Sequence, residues 1–177
     1  MQQFQYSFFV EKRSIEEILG RLNEAQVHYL IVGGLAVVAH GFLRFTADLD
    51  LVLSIEDQNL RKAVLALKAL DYRPRAPVPF EEFLNAEMRR QWSIEKGMRV
   101  FSLFSGMHPE TEIDLFLESP LDFSSAYARA LRLEIAPGVL ATFACFDDLI
   151  DLKEMANRPV DLEDIRQLCA LRGDIKP

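Results

Sequence analysis

The chain has 177 residues, half of them hydrophobic, and carries a formal net charge of −7 with a pI near 5.0. That length and composition predict one packed domain over 1–177, with its core at about 29–145 and a C-terminal helical segment at about 146–173. The acidic balance argues against an extended nucleic-acid platform, which pairs many phosphates with Lys and Arg, and no apolar run approaches the roughly 20 residues of a membrane span.

From the N-terminus, MQQFQYSFFVEKR lacks a basic leader, a long apolar core and a cleavage-site pattern, so no signal peptide is predicted and a cytoplasmic location is the expectation. Ser14-Ile15-Glu16-Glu17 has the form of a capping box. Ile15, Ile18, Leu19 and Leu22 then fall at helical spacing, giving a helix to about Gln26. His28 to Val32 reads as a buried strand that Gly33-Gly34 ends; Leu35 to His40 is a short apolar helix closed by Gly41. Asp48 to Leu53 is the next strand, and the helix after Ser54 carries Leu60, Val64, Leu67 and Leu70 on one face. Tyr72 to Pro79 is proline-punctuated and reads as a surface connection. Phe80 to Lys96 is helical in part, and Arg99–Phe104 and Glu112–Leu117 are two strands joined by a turn. Leu131–Ile135 and Val139–Phe143 form a hairpin around Pro137-Gly138. Helices follow at Asp147–Asn157 and Asp161–Arg172, separated by Arg158-Pro159. Cys145 and Cys169 lie in apolar surroundings without metal-ligand spacing and read as buried thiols. The order predicts an α+β domain with a mixed sheet.

Asp48 and Asp50 interrupt this pattern. Residues two apart on a strand share a face, so both carboxylates point one way, about 7 Å apart, while Leu49 and Leu51 point into the core. Two such charges repel, and a divalent cation with a preference for oxygen ligands, magnesium above all, resolves the conflict. TEIDLFLES repeats the arrangement, with Asp114 between Ile113 and Leu115. If its strand lies beside Asp48–Leu53, three carboxylates meet, a donor set suited to two-metal phosphoryl chemistry. Taken singly, each aspartate reads as a cap or a solvated strand position. Gly33-Gly34, at a strand end before a helix, lets backbone N–H groups approach a phosphate.

This order of Gly-Gly, short helix, Asp-x-Asp strand and a later strand aspartate resembles the nucleotidyltransferase superfamily, with the polymerase-beta-like fold. VGGLAVVAHGFLRFTADLDLVL and DDLIDLKEMANRPVDLEDIRQL are similar to segments of small bacterial AbiEii-like nucleotidyltransferase proteins. The resemblance covers about Tyr29 to Leu171 and is weakest from Tyr72 to Lys96. It implies a mixed sheet flanked by helices, two magnesium ions held by Asp48, Asp50 and Asp114, and a nucleoside triphosphate as substrate. It further implies that Asp114 helps to activate the acceptor hydroxyl, that Gly33 and Gly34 cradle the triphosphate, and that Arg44 and Thr46 support the site. The commonest superfamily pattern is Gly-Ser, so Gly34 lacks a hydroxyl donor to phosphate. The implied acceptor is an RNA, a protein or a small molecule such as an aminoglycoside, and the implied setting a toxin–antitoxin system with a cognate toxin or antitoxin as partner. The alternative is a catalytically weak or inactive binding module on the same fold, an antitoxin or nucleotide sensor.

Lys153 falls within the apolar stripe Leu149, Leu152, Ala156, so it either snorkels outward or reaches a buried anion, phosphate or carboxylate. Arg44 reads equally as a loop arginine paired with a carboxylate. Asp161 is expected to cap the last helix after Pro159, His40 to be a hydrogen-bonded core histidine, and Arg89 and Arg90 beside Trp92 to form a solvated helix face.

Overall fold

A computed structural model describes residues 12–173, so the leader reading of the first thirteen residues falls almost wholly outside the described residues. Fourteen elements and one 3-10 turn follow in order: α1 (Lys12–Glu24), β1 (Tyr29–Ile31), α2 (Gly33–Ala39), β2 (Asp48–Leu53), α3 (Asp57–Ala69), β3 (Tyr72–Pro74), the 3-10 turn (Phe80–Leu84), α4 (Ala86–Lys96), β4 (Val100–Ser105), β5 (Glu112–Phe116), α5 (Phe123–Ala128), β6 (Leu131–Ala136), β7 (Val139–Phe143), α6 (Phe146–Ala156) and α7 (Pro159–Arg172). The strands form a seven-stranded mixed sheet in the order β3-β4-β5-β2-β1-β7-β6. At its centre β2 runs parallel to β5 and antiparallel to β1. This is the α+β architecture that the sequence predicts.

Strand alternation assigns the two faces. Leu49, Leu51, Phe101, Leu103, Ile113 and Leu115 are all buried on one face, where Ile18, Leu19 and Leu22 of α1 and Leu60, Val64 and Leu67 of α3 join the same core. Full burial of each such side chain contributes roughly 1.5–3 kcal/mol. On the opposite face a smaller cluster of Leu30, Val32, Val52, Ala126 and Ala144 packs with Phe123, Tyr127 and Leu152. This second cover leaves Asp48, Asp50, Glu112 and Asp114 exposed or only half-buried on the same face.

Several elements depart from the sequence reading. Ser14 is not a cap: α1 already includes Lys12, and the Ser14 side chain is buried with its Oγ 3.0 Å from His108 Nδ1. The proline-rich connection begins as an edge strand, β3, antiparallel to β4, with Tyr72 buried and its hydroxyl donating to the Thr111 carbonyl at 2.9 Å. An edge strand tolerates Pro74, because no central ladder loses a donor there. The short helix α5, capped by the Asp122 carboxylate accepting from Ser125 N–H, has too little periodicity to be read from sequence. The hairpin is as expected, but β7 also extends the main sheet by pairing parallel with β1 at Ile31–Phe143. In α7 the cap position is Arg158; Asp161 sits three residues in and accepts from the Arg158 backbone N–H at 3.2 Å, with Pro159 at the first helical position. No helix among the described residues is long and apolar enough to cross a membrane.

Candidate active site

The register between β2 and β5 places Asp50 directly opposite Asp114 and Asp48 opposite Glu112, on parallel neighbouring strands. Opposite residues in a ladder share a face, so four carboxylates stand together where the apolar cover ends. For Asp48 and Asp50 this environment disfavours ionisation. Burial, then the charges of Asp114 and Asp48, push Asp50 up to about 7 against the opposing pull of Lys153 and Arg158. Asp48 is also raised, by burial first and then by Asp114 and Glu112. Glu112 is held by the exposed guanidinium of Arg75, whose Nε donates to Oε2 at 2.7 Å and whose Nη2 contacts Oε1.

Among the described residues no three His, Cys, Asp or Glu side chains converge closely enough on one point to ligate a metal. The donor chemistry nevertheless fits a hard divalent cation. All the donors are carboxylate oxygens on one face, burial and then the neighbouring carboxylates raise Asp48 and Asp50, and Asp48, Asp50 and Asp114 retain enough exposure to turn toward a shared ion.

The Gly-Gly turn packs against these groups. Gly33 opens α2 with φ +64°, and a methyl group on it would lie 1.9 Å from Asp50 Oδ2. A methyl group on Gly34 would lie 2.4 Å from Thr46 Oγ1 and 2.9 Å from Arg44 Nη2. Both glycines therefore make room for side chains arriving on β2 and on the loop before it.

Behind the turn lies a buried ion cluster that joins this loop to the C-terminal helices. Asp164, fully buried on α7, meets Arg44 Nε at 2.9 Å and Lys153 Nζ at 2.7 Å. Both contacts with Asp164 are held by charge and proximity without hydrogen-bond alignment. Lys153, buried on α6, also donates to Asp161 Oδ1 at 3.0 Å, and Arg158 grips the same carboxylate through Nε at 2.7 Å and Nη2 at 3.2 Å. Burial alone would raise Asp161, but the hydrogen bonds from Arg158 and Lys153 outweigh it and hold the carboxyl near 2. Three cations against two carboxylates leave one positive charge in excess beside Asp50.

All eight site residues read from the sequence thus lie in one neighbourhood. Lys153 makes the carboxylate contact expected for it, and Arg44 pairs with a carboxylate as its structural reading anticipated. His40 is hydrogen-bonded as expected, with Nε2 2.9 Å from the Ala144 carbonyl and its ring edge-on to Phe146, but it is half-buried rather than in the core. The solvated face expected for Arg89 is wrong: Arg89 is buried, its Nη1 donating to the Phe83 carbonyl at 2.6 Å. Trp92 is buried against Phe101, with ring centroids 5.1 Å apart, and has no face left for a base. Cys145 is half-buried rather than buried, its thiol 3.2 Å from Asp148 Oδ2. Sequence reasoning missed Asp164, which sits one helical turn after Asp161 on the same inward stripe, and Glu112, two residues before Asp114 on the same strand face.

No protein-family model matches the sequence, and no curated protein matches it. Solved structures do. The solution structure of the antibiotic-resistance factor ANT(2'')-Ia aligns with a TM-score of 0.56 at 18% identity, over 90% of this chain and 83% of that one. The crystal structure of ANT(2'')-Ia in complex with adenylyl-2''-tobramycin gives 0.56 at 15%, over 90% and 88%. A candidate nucleotidyltransferase from Thermotoga maritima gives 0.56 at 11%, over 94% and 97%. At these identities the likeness establishes the fold: the chain has the nucleotidyltransferase fold along nearly its whole length.

Proposed function

We propose that this chain transfers a nucleoside monophosphate from a nucleoside triphosphate to an acceptor hydroxyl. The observation that carries the reading is the in-register placement of Asp50 against Asp114, with Asp48 on the same uncovered face, beside the double-glycine turn and a cluster of excess positive charge. A structural sheet gains nothing from carboxylates crowded so that Asp48 and Asp50 are raised, whereas phosphoryl transfer requires such a donor set.

Asp48 and Asp50 would hold two magnesium ions, with Asp114 completing the set; bound there, the ions supply Lewis-acid stabilisation of phosphate charge. Asp114 accepts the acceptor's hydroxyl proton as its oxygen bonds to the α-phosphorus and the bond to pyrophosphate breaks. The glycine turn, Arg44 and Thr46 hold the outer phosphates, and Lys153 and Arg158 offset the negative charge from behind. ANT(2'')-Ia is a fold neighbour whose complex holds an adenylylated aminoglycoside, which supports a small-molecule alcohol as acceptor. The AbiEii-like resemblance supports an RNA or protein acceptor with a cognate toxin or antitoxin. A transfer assay with labelled triphosphates and all three acceptor types separates these. The reading predicts magnesium-dependent transfer that disappears in the Asp48→Asn, Asp50→Asn double variant. Transfer unchanged by that pair would refute the mechanism, and nucleotide binding without any turnover would leave the binding-module alternative.

A further inference from the structure

We propose that β6 is a docking edge for a second copy of this chain, whose own β6 pairs antiparallel with it about a two-fold axis at Leu133. The two sheets then join into one.

The two edges of the sheet are built differently. At one end β3 has only three residues, with Arg73 at its centre and Pro74 at its close. A short edge strand with charge and proline gives an approaching strand little to pair with. At the other end β6 runs for six residues, Leu-Arg-Leu-Glu-Ile-Ala, without proline or lysine. β7 pairs along one side of it, and among the described residues no strand pairs along the other. A bulge between Glu134 and Ala136 confines regular pairing to the stretch around Leu133.

Leu131, Leu133 and Ile135 pack against the core but stay half-buried, because the sheet stops there. Arg132 and Glu134 are exposed on the other face. The Arg132 guanidinium lies 4.9 Å from the Tyr127 ring centroid, with Nη2 donating to the Tyr127 carbonyl at 2.9 Å. Glu134 Oε1 accepts from the Gly138 N–H at 2.8 Å. These contacts hold both side chains on that face. Arg132 Nε and Glu134 Oε2 make no hydrogen bond among the described residues.

This pattern is complementary to itself. With Leu133 on the axis, Leu131 meets the second copy's Ile135 and the leucines at 133 meet each other, extending the apolar row. Arg132 then stands opposite Glu134 of the second copy, and Glu134 opposite its Arg132, at the Cβ spacing of about 4.5–5.5 Å at which cross-strand charges attract. A slip of two residues would set arginine against arginine or glutamate against glutamate. A slip of one would turn the second copy over and bring charges onto the apolar row. The carboxylate strand β2 lies three strands in from this edge, so the pairing leaves the candidate site uncovered.

Sedimentation equilibrium of the full chain, from about 1 to about 200 μM, reads the association; a strand-edge interface is small, and a micromolar dissociation constant is expected. Arg132→Glu makes an edge with two negative charges, and Glu134→Arg an edge with two positive ones. Each variant alone is expected to dimerise at least about ten-fold more weakly, since like charges stand directly opposite. Mixed in equal amounts, the two should associate within about three-fold of the native constant, because every arginine again faces a glutamate. Rescue on mixing cannot arise from what either residue does inside its own chain, so loss of the Tyr127 contact does not mimic it. Leu133→Lys places two ammonium groups together on the axis and is expected to be monomeric throughout, with circular dichroism checking that it is folded. A native chain that stays monomeric over this range overturns the proposal, including the case in which β6 pairs with a strand of another protein. A dimer that survives Leu133→Lys, or a mixture that associates no better than its components, overturns it as well.

Discussion

The Asp50 carboxylate occupies the space in which a side chain at Gly33 would have to begin: a methyl group there would sit 1.9 Å from Oδ2 and 2.6 Å from Cγ. The backbone reinforces the demand, because Gly33 has φ +64°, a region that costs an L residue about 1–2 kcal/mol. Overpacking adds roughly 1–3 kcal/mol more. Gly33→Ala is therefore expected to lower unfolding free energy by about 2–5 kcal/mol and to abolish transfer although no carboxylate has changed. Urea melts and the transfer assay check both parts. A variant that melts like the native chain would show that Asp50 does not pack on this turn.

The same carboxylate makes the metal-free protein sensitive to pH. Burial and then the neighbouring Asp114 and Asp48 raise Asp50 from its ordinary value of 3.8 to about 7. Between those values the folded chain holds a proton that the unfolded chain has released. Stability contributed by that proton is fully present below about pH 4 and is lost as pH rises through about 7. Asp50→Asn removes the titration. In a chelating buffer the variant is expected to melt above the native chain at pH 7.5 and to lose that advantage near pH 4.5. Magnesium should raise the native melting point at pH 7.5 and leave the variant's nearly unchanged. A native melting curve independent of pH across this range would contradict the crowding of the carboxylates.

How far the site was legible before the fold was known depends on the range of the signal. Asp48 and Asp50 announce themselves through strand alternation, since a period of two puts both on one face whatever the partners are. Asp114 needed only one further condition, that its strand lie beside the first, and the parallel register meets it. The double glycine showed that something approaches closely. Sequence could not show that the approach comes from Asp50, Thr46 and Arg44, because such contacts depend on how β2 enters the sheet. Asp164 was invisible for the same reason: an aspartate in an apolar helix stripe has meaning only once Arg44 and Lys153 are seen to reach it. Arg89 was misread because neighbouring positions such as Arg89 and Arg90 on a weakly amphipathic helix do not reveal which face the 3-10 turn and Phe101 cover.

Asn59 offers a perturbation away from the carboxylates. Its side chain accepts from the His28 N–H at 2.7 Å and donates to the carbonyls of His28 at 3.0 Å and Ser54 at 2.9 Å. It therefore clamps the chain just before β1 to the chain just after β2 and fixes the register of that antiparallel pair. Asn59→Ala leaves the His28 N–H and the Ser54 carbonyl without these partners, while the His28 carbonyl keeps the Ser54 N–H at 3.1 Å, at about 1–3 kcal/mol for each group left without a partner. A total loss of about 2–4 kcal/mol in unfolding free energy is expected, with tripolyphosphate affinity unchanged at temperatures where the variant remains folded. A large affinity loss in a fully folded variant would mean that the clamp also sets the site's geometry.

Lys153 ties the two C-terminal helices to the site, and its removal should be costly in a way that pH reveals. The ammonium lies between Asp161 and Asp164, each side chain about 1% exposed. Lys153→Met leaves the buried carboxylates with one counter-charge fewer, and breaking a buried pair in this manner destabilises by about 3–5 kcal/mol. Asp161 supplies the acid limb. Its folded value near 2 lies below the ordinary 3.8, so its stabilisation is present above about pH 4 and is lost as pH falls through about 2. Without the Lys153 hydrogen bond that value rises, and the onset of acid unfolding should move to higher pH in the variant. Urea melts at pH 7 and an acid titration followed by circular dichroism measure the two effects. A variant within about 1 kcal/mol of the native chain, with an unmoved acid limb, would show that Arg158 and Arg44 alone neutralise the two aspartates and that Lys153 is free to act directly on phosphate.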